Sequence, residues 1–134
     1  MIPKETVFLV VDDMGAIRDL VKAQLKANGY NQIRDAENGV EAFQIFNNSV
    51  MRDTAVGFIV SDWNMPKMTG IELLKKVRAT DLGKNVPFLL LTSENEKSQV
   101  TEAVLAGVSN YIVKPFSPKT FQEKLLQAWG KHKK

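Results

Sequence analysis

Five side chains able to do chemistry stand at the ends of apolar runs in this sequence. Asp12 and Asp13 follow residues 6–11, Asp62 follows 58–60, Thr92 follows 86–91, and Lys114 follows 110–113. A polar group just past a buried strand has no place in a core, and open α/β sheets bind ligands at the carboxyl ends of their strands. Three carboxylates gathered at one such edge repel, so one pKa rises unless a cation is present. Mg²⁺ suits them, being a hard ion that takes a few carboxylates and keeps waters for phosphate oxygens. Lys114 adds a point charge for a further phosphate oxygen, and Thr92 adds a hydroxyl donor. Each residue alone has a plainer reading: Asp13 as a helix cap, Thr92 as a strand end, Asp62 as a turn aspartate. Collected at one edge, all five make a site for a phosphoryl group.

That edge requires a parallel sheet, and the hydropathy pattern supplies one. Apolar strand patterns at 6–11, 58–60, 86–91 and 110–113, with a weaker strand pattern at 32–36, alternate with helical ones. The first helix carries Ile17, Leu20, Val21 and Leu25, with Asn28-Gly29 as its stop. Asn38 to Glu41 and Thr69 to Glu72 read as capping boxes for the second and third helices. Val40, Phe43 and Phe46 mark the inner face of one, and Ile71, Leu74 and Val77 that of the other. Residues 93–96 are expected to cap a fourth helix with Val100 and Val104 inward and a stop at Gly107. Ser117-Pro118 opens a fifth, with Phe121, Leu125 and Trp129 buried and Gly130 at its end. Five strand–helix alternations predict an α/β fold: a doubly wound, five-stranded parallel sheet in three α/β/α layers. No repeat or linker interrupts it, so residues 1–134 are expected to form a single domain with a short basic tail at 131–134.

Composition narrows the classes of function. The absence of cysteine excludes disulfides, thiolate metal sites and cysteine nucleophiles. The formal charge of +3 is carried largely by Lys131, Lys133 and Lys134, without interleaved aromatics or a recognition-helix pattern. No nucleic-acid partner is expected. No apolar run approaches the ~20 residues of a membrane span, and the first residues lack a signal-peptide layout. A cytoplasmic location with no membrane partner is therefore expected.

Four blocks carry a family resemblance: Val10-Val11-Asp12-Asp13, Ser61-Asp62-Trp63-Asn64-Met65-Pro66, Thr92-Ser93-Glu94 and Tyr111-Ile112-Val113-Lys114-Pro115-Phe116. In order and spacing they resemble bacterial two-component response regulator receiver domains, nearest to the single-domain chemotaxis regulators among them. The resemblance implies a flavodoxin-like sheet of order 2-1-3-4-5. It implies that Asp62 is the phosphoacceptor and that Asp12, Asp13, Asp62 and the Asn64 backbone carbonyl hold Mg²⁺. Thr92 and Lys114 match the switch hydroxyl and phosphate-binding lysine, Tyr111 the aromatic switch partner, and Lys114-Pro115 a cis bond. Asn64 and Glu94 match positions that tune dephosphorylation, and Lys97, Tyr111 and Lys124 a partner-binding face. Met14 and Thr69 depart from the side chains usual at their positions, without touching the chemistry.

The implied function is chemotaxis signalling. A histidine kinase phosphorylates Asp62, and the phosphoprotein, expected as a monomer, binds the flagellar motor switch to control rotation. An auxiliary phosphatase is a further implied partner. The alternative is a stand-alone receiver serving as a phosphorelay intermediate or phosphate sink. Either way the chain catalyses its own phosphoryl transfer and autodephosphorylation and is not a dedicated enzyme. The chain ends at the fifth helical pattern, so its output is expected to be a protein contact. An aspartyl-phosphate hydrolase would want a second Asp where Asn64 stands. A flavin module would want a Ser/Thr/Gly phosphate cradle where Asp12-Asp13-Met14 would repel one.

Overall fold

The computed structural model describes residues 2–50, 55–92 and 97–132, with backbone alone at 50, 97–99 and 132. Strands and helices alternate: β1 (Val7–Val11), α1 (Gly15–Ala27), β2 (Ile33–Ala36), α2 (Gly39–Val50), β3 (Val56–Asp62), α3 (Gly70–Arg78), β4 (Phe88–Thr92), α4 (Lys97–Leu105), β5 (Asn110–Val113) and α5 (Pro118–His132). A 3₁₀ turn at Leu82–Asn85 precedes β4. All strand pairs are parallel, in the order β2-β1-β3-β4-β5. The expected doubly wound α/β sheet is therefore present, with the implied order.

Period-two alternation explains why its central strands read as unbroken apolar runs. Leu9, Val11 and Ile59 face one way, packing with Phe46 of α2 and Leu74 and Val77 of α3. Phe8, Val10, Phe58 and Val60 face the other, against Val21 and Leu25 of α1 and Phe121 and Leu125 of α5. Strand order changes direction between β1 and β3. Their carboxyl ends therefore border the crevice in which such sheets bind ligands.

Local signals set the helix ends. Gly29 takes φ 93°, the left-handed conformation that closes α1. The Thr69–Glu72 box is complete: the Glu72 N–H donates to the Thr69 hydroxyl, and the Thr69 N–H donates to Glu72 Oε1. The Glu41 N–H donates to Asn38 Oδ1, the cap half of the expected Asn38–Glu41 box, and the Thr120 N–H donates to the Ser117 hydroxyl, the expected cap of α5.

Several expected faces differ. Leu20 (47% exposed), Val40 (39%) and Val104 (58%) point outward, while Ala42, Ala103 and Ala128 fill the inner positions. Small residues fit where helix and sheet backbones approach closely, and larger apolar ones are displaced to the rim. Gly130 does not end α5, which continues through Lys131 to His132, so half of the expected basic tail is helical. Val86 and Pro87 precede β4, which begins at Phe88. The cap expected at 93–96 lies outside the described residues.

Arg78 at the end of α3 organises the opposite edge of the sheet. Its guanidinium donates to the carbonyls of Gly83, Val86 and Gly107 at 2.6, 2.6 and 2.9 Å and to the Ser109 hydroxyl at 3.2 Å. It thereby joins the 3₁₀ turn to the segments that lead into β4 and β5. Among the described residues no helix is long and apolar enough to cross a membrane.

Candidate functional site

The carboxyl edge brings together the five residues singled out in the sequence. Asp12 is the first residue past β1, Asp62 the last of β3, Thr92 the last of β4, and Lys114 the first past β5. Lys114 Nζ donates to Asp62 Oδ1 at 2.9 Å and to Asp12 Oδ2 at 3.4 Å. Asp12 Oδ1 also accepts the Met14 N–H at 2.9 Å, which turns the chain from β1 toward α1. Asp12, Asp62 and Thr92 are buried, whereas Asp13 is exposed at the rim. The Lys114-Pro115 bond is cis, and the Lys114 N–H donates to the Thr92 carbonyl at 2.7 Å.

The backbone around Asp62 is tightly seated. The Ser61 hydroxyl donates to the Asp62 carbonyl at 3.0 Å. The Trp63 N–H donates to the Leu91 carbonyl, and the Gly70 N–H to the Trp63 carbonyl. A Cβ on Gly70 would overlap the Asp62 carbonyl oxygen, so only glycine lets α3 begin this close to the strand end.

Electrostatics at the edge are unbalanced. Burial raises the Asp12 carboxyl above 3.8; the Met14 N–H and Lys114 oppose the rise, and the Asp62 charge adds to it. Asp62 is raised likewise, first by burial and least by Asp13, against the opposing hydrogen bond and charge of Lys114. Burial is a larger cause of both rises than the repulsion among carboxylates expected from the sequence. Burial also works against the Lys114 ammonium, yet its hydrogen bond to Asp62 and the charges of Asp62 and Asp12 hold its pKa above 10.5.

One ammonium therefore faces three carboxylates, each able to offer an oxygen within 4.8 Å of the others. An all-oxygen, carboxylate-rich donor set at that spacing fits a hard divalent cation, which would relieve the charge that Lys114 leaves uncompensated.

The remaining sequence-predicted residues lie around this centre. Asn64 is exposed in the loop just past β3. Tyr111 is half-buried in β5 and lines a groove of about 350 Å³ with Phe116, Ser117, Thr120 and Lys124. Lys124 Nζ lies 5.5 Å from the Tyr111 ring centre. Glu94 lies outside the described residues. Lys97 opens α4, and its side chain is outside them too.

Arg18, not singled out in the sequence, also reaches the edge. It donates to the Asp12 backbone carbonyl at 2.8 Å and to Asp35 Oδ2 at 3.2 Å. The available signal was its place one helical turn into α1. Helical side chains lean toward the amino terminus of their helix, here toward the end of β1.

Residues 8–126 match the family model for the response regulator receiver domain. The chain belongs to the response regulator receiver family. It is 45% identical over 122 residues to the chemotaxis protein CheY1 of Helicobacter pylori J99, covering 91% of this chain and 95% of that one. The CheY homolog of Campylobacter jejuni 81-176 is 42% identical, with 91% of each chain covered. Among solved structures, Vibrio cholerae CheY4 superposes with a TM-score of 0.81 at 34% identity, covering 92% of this chain and 98% of that one. The receiver fold is shared throughout, and the four sequence blocks that suggested it all lie within the matched span.

Proposed function

We propose that this receiver is a chemotaxis-type response regulator. Asp62 takes a phosphoryl group from a histidine kinase, and the phosphorylated chain, a cytoplasmic monomer, binds the flagellar motor switch to control rotation. The observation that carries the reading is Lys114 Nζ held between the Asp62 and Asp12 carboxylates, beside Asp13, at a strand edge. The names of the chemotaxis relatives support the output.

Asp12, Asp13, Asp62 and the Asn64 backbone carbonyl would hold Mg²⁺, which when bound supplies charge neutralisation for the transferring oxygens. An Asp62 carboxylate oxygen attacks phosphorus, the P–N bond of the donor phosphohistidine breaks, and its electron pair leaves with the imidazole. Lys114 moves from the carboxylate to a phosphoryl oxygen, so its contact follows the developing charge. Water then attacks phosphorus, the Asp62 O–P bond breaks, and inorganic phosphate leaves with the carboxylate restored. By their match to the family's pattern, Asn64 and Glu94 tune that hydrolysis and the access of an auxiliary phosphatase.

The switch lies in Thr92 and Tyr111. The Thr92 hydroxyl donates to the phosphoryl group, Tyr111 takes the space it leaves, and the face carrying Lys97, Tyr111 and Lys124 changes. Phosphorylation does this by favouring one of two arrangements already in equilibrium.

The test is incubation with acetyl phosphate and Mg²⁺, followed by intact-mass analysis and peptide mapping. One phosphoryl group is expected on Asp62, absent after chelation and absent in Asp62→Asn. A label that persists in the variant overturns the assignment.

A further inference from the structure

Arg18 ends the first turn of α1 and reaches back over the end of the sheet. Its Nη1 donates to the Asp12 carbonyl at 2.8 Å and its Nε to Asp35 Oδ2 at 3.2 Å. The same Asp35 oxygen accepts Lys22 Nζ at 3.2 Å. Only 17% of the Arg18 side chain is exposed. One guanidinium thus ties α1 to the carboxyl ends of β1 and β2, a geometry that a single ammonium does not reproduce.

The Asp12 carbonyl belongs to the peptide that leads into Asp13. Peptides are planar, so fixing this oxygen fixes the direction in which the Asp13 Cα leaves the strand. The Asp12 carboxylate has its own restraints, the Met14 N–H and Lys114. The Asp13 carboxylate differs: it is exposed, and no hydrogen bond or ion pair to a described residue holds it. Its place in the cluster comes from the backbone.

We infer that Arg18 is a positioning residue for the metal site. By holding the Asp12–Asp13 peptide, it sets the Asp13 carboxylate within reach of those of Asp12 and Asp62. The inference rests on the proposed reading of that cluster as a Mg²⁺ site.

The sign of the effect separates this role from two others. Arg18 is itself a cation near a cation site. If charge were its only influence, removing it would tighten Mg²⁺ binding, since like charges repel. If it served only the scaffold, its loss would lower stability and leave affinity alone. Positioning alone predicts weaker binding after a positive charge has been taken away. Outer groups that orient metal ligands change affinity by about 10–100-fold. Arg18 acts through one backbone carbonyl, so the lower end, about tenfold, is expected.

The experiment is calorimetric titration of the full chain with Mg²⁺ alone, in wild type, Arg18→Met and Arg18→Lys. Arg18→Met is expected to bind about tenfold more weakly than wild type, and Arg18→Lys, reaching one acceptor at a time, to fall between them. Labelling of Asp62 by acetyl phosphate in Arg18→Met should need correspondingly more Mg²⁺ yet reach the wild-type rate at saturation. Equal or tighter Mg²⁺ binding in Arg18→Met overturns the inference. If Arg18→Met does not fold, wild-type affinity in folded Arg18→Lys overturns it instead. Failure of the wild type itself to bind Mg²⁺ overturns the underlying reading, and is distinguishable because it appears before any substitution.

Discussion

Lys114 Nζ lies 2.9 Å from Asp62 Oδ1, joining the ends of β5 and β3 across 52 residues of sequence. The contact is the principal compensation for a buried carboxylate, and Asp12 shares the same ammonium at 3.4 Å. Lys114→Met removes it and leaves two buried carboxylates facing each other. The metal-free protein should lose about 1.5–3 kcal/mol, the range for hydrogen bonds to charged groups. Mg²⁺ should then raise the melting temperature of the variant more than that of wild type, because a cation replaces the missing charge. Thermal melts with chelator and with Mg²⁺ check both parts.

Asp62 carries a pH dependence of definite sign. Burial, with a smaller part from Asp13, holds its pKa above 3.8 despite Lys114. A carboxyl raised on folding binds its proton more tightly in the native state than in the unfolded chain. Metal-free stability therefore falls as pH rises from 3.8 through the raised value, and stays lower above it. Asp62→Asn removes this titration. In chelator the variant should be more stable than wild type at pH 7, with an advantage that shrinks as pH falls toward 3.8. Urea unfolding at several pH values gives the comparison; an advantage independent of pH contradicts it.

The Thr69–Glu72 box anchors the loop that leaves Asp62. Thr69→Ala should cost about 1 kcal/mol, the usual value for a lost side-chain cap. Hydrogen bonds from Thr69 hold the Glu72 carboxyl below 4.5. That contribution is present above 4.5 and is lost as pH falls through the lowered value. Glu72→Gln should remove the pH dependence from this region while leaving Asp62 labelling in place. Denaturant curves between neutral and acidic pH measure both.

Arg78 works at the opposite edge. Burial brings its pKa down to about 10, so it is charged at neutral pH. Its four acceptors are three carbonyls and one hydroxyl, some of which are left unpaired if it is truncated. Arg78→Met should destabilise by about 2–4 kcal/mol, from lost charged hydrogen bonds and stranded acceptors. Arg78→Lys should recover little, because one ammonium cannot span the same set. Labelling of Asp62 in the folded variant should be unchanged, since the clamp lies away from the carboxyl edge. Equilibrium unfolding combined with intact-mass analysis separates the two effects.

How much the sequence disclosed depended on what each feature bonds to. Strand ends were legible because central strands buried on both faces give unbroken apolar runs, and a polar residue closes each sharply. Asp12, Asp62 and Thr92 stood out in this way, and Lys114 by closing the short, half-buried edge strand β5. The Thr69 cap was legible because both partners lie within one turn. Arg18 and Arg78 were not, because most of their acceptors are backbone carbonyls, which no residue type marks. Leu20, Val40 and Val104 misled because apolar residues at helical spacing fit the rim of a buried stripe as readily as its centre. Val21 beside Leu20, Ala42 near Val40 and Ala103 beside Val104 take the inner positions instead.

Tyr111 and Lys124 border the groove through which the proposed switch would be read, with the lysine 5.5 Å from the ring centre. If phosphorylation draws Thr92 inward and lets Tyr111 follow, the free energy of that rearrangement must appear as a difference in partner affinity. Switches of this kind couple sites by about 1–3 kcal/mol, or 5–150-fold. A motor-switch peptide titrated against the chain with and without beryllofluoride, a stable phosphoryl mimic, should bind more tightly in the mimic-bound form. Tyr111→Ala should reduce the difference while Asp62 still accepts a phosphoryl group. A relay or sink receiver would instead engage its histidine-bearing partner around α1 and the site rim, and its peptide affinity would not change. Equal affinity in both states rejects the motor output, because a ligand indifferent to two states cannot read the equilibrium between them.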